Sequence, residues 1–174
     1  SGPQNEYAHL YAETERRKKY LLIEQEDLER LSALNALAVA HTTTHVERFY
    51  DHLLGNESTR EHFQSERHIQ NVKRTQAKYF ADLFAGRCDV EYLRDRRRVG
   101  RAHERIGLEP EWYVGAYCVY MNQLFPMILE HYKDDLPRGI ASIQSLVKLI
   151  SFDMGVAIDT YIDAIGNRET TQMQ

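Results

Sequence analysis

Cysteine is nearly missing from this chain: Cys88 and Cys118 are the only two among 174 residues. Two are too few for a disulfide scaffold, they lack metal-site spacing, and the scarcity fits a reducing cytoplasm. Proline, at four, and glycine, at nine, are almost as sparse, so few positions interrupt regular structure. Positive charge is in deficit, with 22 Lys and Arg against 26 Asp and Glu and a net charge of -4. That balance removes the usual electrostatic ground for a nucleic-acid partner. The local basic runs, Arg16-Arg17-Lys18-Lys19 and Arg96-Arg97-Arg98, read as solvated helix faces. No apolar run approaches the ~18 residues of a membrane span, and nothing resembles a signal peptide. Ser1-Gly2-Pro3 reads as the remnant of a cleaved tag.

What remains is ordinary for a soluble globular domain, 43% hydrophobic and 28% charged, on a chain long enough to bury one sizeable core. No segment alternates with a period of two. Apolar residues recur instead at three and four positions, which predicts helices throughout. A polar helix is expected over 5–20, then one over 24–38 on the stripe Leu28, Leu31, Leu34 and Leu37. A third over 40–54 carries Val46, Phe49, Tyr50, Leu53 and Leu54 and stops at Gly55-Asn56. Further helices are expected over 66–85, 89–104 and 110–132, the last begun at Pro110 and kinked or broken at Pro126. A long one over 138–166 bears Ile140, Ile143, Val147, Ile150, Met154, Ala157, Ile158, Tyr161 and Ile165. The expectation is an all-α fold: residues 1–23 an N-terminal helix with its tag remnant, 24–166 the domain, 167–174 the start of a linker.

Of eight histidines, most read as surface residues, among them His52, His62, His68 and His131. His41 and His45 share a helix face four residues apart, but no carboxylate or thiol completes a metal site around them. His103 differs because Val99 and Ile106 flank it on one apolar stripe. Such an imidazole is either a packed core residue or an axial ligand of the kind a heme iron takes.

The surrounding run decides between these. From His103 the chain continues Glu104-Arg105-Ile106-Gly107-Leu108-Glu109-Pro110-Glu111-Trp112-Tyr113-Val114-Gly115-Ala116-Tyr117. It resembles the proximal signature of globin-coupled sensors, H-x-R-I-G-L-x-P-x-W-Y-x-G-A followed by Tyr or Phe. Arg48-Phe49-Tyr50-Asp51 resembles that family's distal element, and Leu83-Phe84-Ala85-Gly86 one of its helix ends. The resemblance covers residues 24–165.

It implies a globin-like fold, a three-over-three helical sandwich with an extra N-terminal helix, and heme b with His103 as proximal iron ligand. Tyr50, 53 positions before His103, matches the distal tyrosine that donates to bound dioxygen. The alternative for Tyr50 is a core phenol bonded to a backbone carbonyl. Thr75 and Gln76 match the distal helix facing the iron, although Gln76 stands where the family more often has an apolar residue. Tyr113 matches a proximal-side tyrosine. Phe49, Phe63, Val72, Phe80, Val99, Ile106, Leu108 and Trp112 are expected to line the pocket.

The implied function is a gas sensor for dioxygen, with carbon monoxide and nitric oxide as further ligands. A homodimer through the last two helices would relay ligation to a C-terminal output module. No catalytic residue is implied. The rival readings are a single-domain globin enzyme acting on nitric oxide or peroxide, and a heme-free globin-fold interaction module.

Overall fold

The spacing of three and four becomes helix wherever the chain is apolar enough to pay for ordering itself. The computed structural model describes residues 2–174, and among these residues there are eight helices and no strand. They are α1 (Pro3–Tyr20), α2 (Gln25–Ala33), α3 (Asn35–Leu54), α4 (Glu57–Arg60), α5 (Glu66–Leu83), α6 (Val90–Arg105), α7 (Pro110–His131) and α8 (Leu136–Gln172). Local chemistry sets several starts. The side chains of Ser65, Asp89 and Asp135 accept from the amides of His68, Tyr92 and Arg138 at 3.1, 2.9 and 3.3 Å. Pro110 supplies the fixed φ of the first turn of α7.

Four features differ from the sequence expectation. The break in the first leucine stripe falls at Leu34, not near residue 39. Leu34 is wholly buried there, and the Asn35 amide donates to the Phe84 carbonyl at 3.2 Å, tying the bend to the end of α5. Residues 57–60 form the short α4, capped by Asn56. Pro126 does not break α7, which runs through it to His131. Pro126 and Asn122, whose carbonyl loses its helical donor, both lie on the exposed face, so water takes the vacant bond. Finally α8 continues through Gln172, so residues 167–172 are exposed helix where an irregular linker is expected.

α8 is the spine. α6, α7 and α2 pack along it, α3 packs on α5, and α1 lies over α6. Gly100 of α6 lets the α6–α8 pair approach closely: a Cβ at that position would stand 2.5 Å from Thr160 Oγ1. Asp27 of α2 is buried and accepts from Ser145 (2.7 Å) and Lys148 (3.0 Å) of α8. Glu13 of α1 pairs with Arg97 of α6 at 2.5 Å, and Arg17 with Asp159 of α8. Contrary to the sequence expectation, α8 contains an 18-residue window apolar enough to pass as a membrane span by composition; half of it is buried inside the fold.

Candidate functional site

α6 delivers His103 from its last turn, and the αL turn at Gly107 (φ 79) reverses the chain into α7. The two helices therefore meet with His103 and Tyr113 in ring contact, their centroids 4.6 Å apart. His103 Nδ1 sits 2.7 Å from the Val99 carbonyl, so that nitrogen carries the hydrogen and donates. Nε2 is left as a free lone pair on an imidazole of fixed orientation. Burial pushes the His103 pKa down; the Val99 bond opposes this and nearby His62 adds to it. The ring is thus neutral at physiological pH, the state in which an imidazole binds metal.

α3 brings Tyr50 and Phe49 inward together, both 4% exposed. Phe63, in the segment between α4 and α5, packs edge-on to Tyr50 with centroids 5.8 Å apart. Burial alone raises the Tyr50 pKa, and among the described residues no group accepts its hydroxyl. A buried phenol without an acceptor leaves a hydrogen-bond donor free for a guest. The alternative expected from sequence, a bond to a backbone carbonyl, is not made.

The remaining pocket candidates divide. Val72, Val99, Leu108 and Trp112 are half-buried, while Phe80 is wholly buried against His45, Phe84 and Tyr120. Ile106 does not join the wall: as C-cap of α6 it is 55% exposed. Gln76 donates its amide to the Tyr120 hydroxyl on α7. Thr75 is exposed, its hydroxyl bonded back to the Asn71 carbonyl at 3.3 Å. Tyr113 meets His103 through its ring, and its hydroxyl is bonded to Tyr117 instead of to the histidine.

Two histidines read as surface residues behave otherwise. His62, with a side chain 16% exposed, lies near enough to His103 to depress its pKa. His68 is half-buried, with its ring 6.0 Å from Phe63. The adjacency of His62 to Phe63 hinted at the first, and the place of His68 one turn before Val72 on the stripe of α5 hinted at the second. His41 and His45 line a groove of about 410 Å³ between α3 and α7, but no group of three metal-binding side chains forms among the described residues.

The chain and its architecture are similar to known proteins. The family model described as Protoglobin matches residues 10–166. The heme-based aerotactic transducer HemAT of Halobacterium salinarum is 33% identical over 168 residues, covering 90% of this chain. The chain spans only 34% of that transducer's length. Among solved structures, the globin domain of the Geobacter sulfurreducens globin-coupled sensor superimposes with a TM-score of 0.81 at 26% identity, covering 84% of this chain and 96% of that one. The ferric globin domain of E. coli DosC gives 0.71 at 21% identity, covering 82% and 97%, a likeness of fold. The globin-like fold expected from the resemblance is therefore the fold found.

Proposed function

The chain belongs to the Protoglobin family, and from that premise we propose that it is a heme-based gas-sensing domain with dioxygen as its ligand. The reading rests on a neutral, half-buried imidazole with an unengaged Nε2 at the end of α6 and a buried phenol without an acceptor on α3, linked by the His62–Phe63 segment, which lies near the first and packs on the second. An axial ligand and a distal donor are what a heme of the b type requires of its protein, so these residues fit the group. When bound, heme supplies an iron coordination position for a diatomic gas.

The chain's own part follows from its geometry. His103 would hold the iron through Nε2, its ring orientation already fixed by the Val99 carbonyl on Nδ1, which would also raise its basicity as a ligand. Tyr50 donates to a polarised gas, which favours dioxygen over carbon monoxide because only the former accumulates appreciable negative charge. Val72, Phe49, Phe63 and Trp112 exclude water. Gln76 and Thr75 are second donors only if they leave Tyr120 and Asn71.

For output, α8 exposes Leu136, Ile140, Val147, Ile158, Ile162 and Ile165 at helical spacing on one stripe. Together with Leu129 of α7 this surface suits a two-fold four-helix bundle with a second copy. The domain is non-catalytic and cytoplasmic, and α8 leads to a C-terminal output module, in keeping with the share of HemAT that it spans.

The decisive test is the absorption spectrum of the purified protein. A Soret band that shifts with dioxygen and carbon monoxide is expected, and His103→Ala should abolish it while helical circular dichroism persists. A normal bound-heme spectrum in His103→Ala overturns the assignment.

A further inference from the structure

α5, α6 and α8 meet around three buried polar side chains, Asp153, Tyr92 and Arg96, and the half-buried Tyr79. Asp153 of α8 is 1% exposed. Its Oδ2 accepts from the hydroxyls of Tyr79 on α5 (2.7 Å) and Tyr92 on α6 (2.9 Å). Arg96 of α6 is 5% exposed, its guanidinium stacked 4.4 Å from the Tyr79 ring centroid and 5.2 Å from that of Tyr92. Its ion-pair partner is Asp82 of α5, at 3.6 Å. Asp153 is the only carboxylate among the described residues with a wholly buried, unpartnered oxygen, Oδ1; Arg96 Nε is likewise buried and unpartnered.

An orphan donor and an orphan acceptor in one cluster are complementary. Each costs about 1–3 kcal/mol unpaired, and each would be satisfied if the guanidinium moved from Asp82 to Asp153. Asp82 would not be stranded, because Lys78 already pairs with it at 3.1 Å. The cluster therefore offers the guanidinium a second carboxylate, the condition for a discrete two-position element. Its location joins the right parts. Arg96 is two helical turns before His103 on the same face of α6, and Tyr79 is one turn beyond Gln76 on α5. Asp153 faces inward from α8, away from the exposed apolar stripe. Burial raises the Asp153 carboxyl to about 6, against the nearby Arg96 charge and the two tyrosine bonds, which lower it.

We propose that Arg96 is a two-position cation that passes its ion pair from Asp82 on α5 to Asp153 on α8 when α6 shifts, making this cluster the positioning element between the gas pocket and the output helix. The coupling to gas rests on the reading above; the two-position cation does not. Asp82→Asn removes one resting place and Asp153→Asn the other, so the two substitutions push the equilibrium in opposite directions. A purely structural role would move both the same way.

Amide hydrogen exchange over residues 146–157 of the heme-free protein tests the cation itself. Asp82→Asn should slow exchange and Asp153→Asn should speed it, whereas shifts of like sign overturn the proposal. In the heme-loaded protein, dioxygen dissociation rates should move about threefold or more in opposite senses for the two variants. Opposite exchange shifts with wild-type gas rates would overturn the coupling to the pocket. A wild-type protein without a Soret band would sink the heme assignment, and hydrogen exchange would still decide the cation. Arg96→Lys, which keeps charge but loses the planar Nε–H, should resemble Asp153→Asn.

Discussion

His103, Tyr50 and Asp153 share one condition: each is a polar group largely withdrawn from water with bonding capacity that no neighbouring side chain uses. Such capacity is costly, so its function is measurable. For Tyr50→Phe, losing one hydrogen bond to a polarised ligand, worth about 1.4 kcal/mol, should speed dioxygen dissociation about tenfold. Stopped-flow mixing should show a much smaller change for carbon monoxide, and equal changes for both gases would argue against the donor role. Asp153 makes a prediction about pH. Its carboxyl rises from 3.8 to about 6 on folding, so between those values the folded protein holds more proton than the unfolded chain. Its stabilising contribution is complete below the unfolded pKa and is lost as pH rises through the folded one. Relative to Asp153→Asn, the wild type should lose about 3 kcal/mol between about pH 4 and pH 7, read from urea midpoints. A difference independent of pH would show that Asp153 does not titrate there.

At the scale of elements, α6 and α8 form the contact on which the site depends. Gly100 packs against Thr160 and Tyr92 donates to Asp153 between the two helices, and just beyond α6 the Tyr161 hydroxyl donates to the Leu108 carbonyl at 2.7 Å. Gly100→Val would drive its side chain into Thr160 and should destabilise the protein by about 1–3 kcal/mol. Thr160→Ala should recover part of that loss in chemical denaturation, since Thr160 Oγ1 and Cγ2 are the two nearest atoms. The elements were largely legible from periodicity, because α5, α6 and α7 begin within a residue or so of the expected points. The misplaced boundaries depended on neighbours remote in sequence. Leu34 ends α2 because Phe84 holds Asn35, and Pro126 is tolerated because its side of α7 faces solvent.

For the molecule as a whole, the inward face of α8 anchors the core and the outward face remains apolar. Val147, 38% exposed, and Ile158, 45% exposed, sit near the middle of that outward stripe. Val147→Glu and Ile158→Glu should convert dimers to monomers in sedimentation velocity without disturbing the Soret band. Dimers that persist in both variants would place the interface elsewhere.

The expectation that His103 and Tyr50 serve one site came from a helical stripe, a signature run and the separation that the family resemblance implies. The all-α fold was legible from short-range pattern. Sequence could not supply what depends on which surfaces meet. The partners of Gln76 and Thr75, the exposure of Ile106, the approach of His62 to His103 and the Arg96–Asp153 cluster all follow from helix packing. Helix period is set by a residue's near neighbours, whereas the desolvation and hydrogen bonding of a side chain are set by helices remote in sequence, as α8 sets them for Asp27 and Arg17.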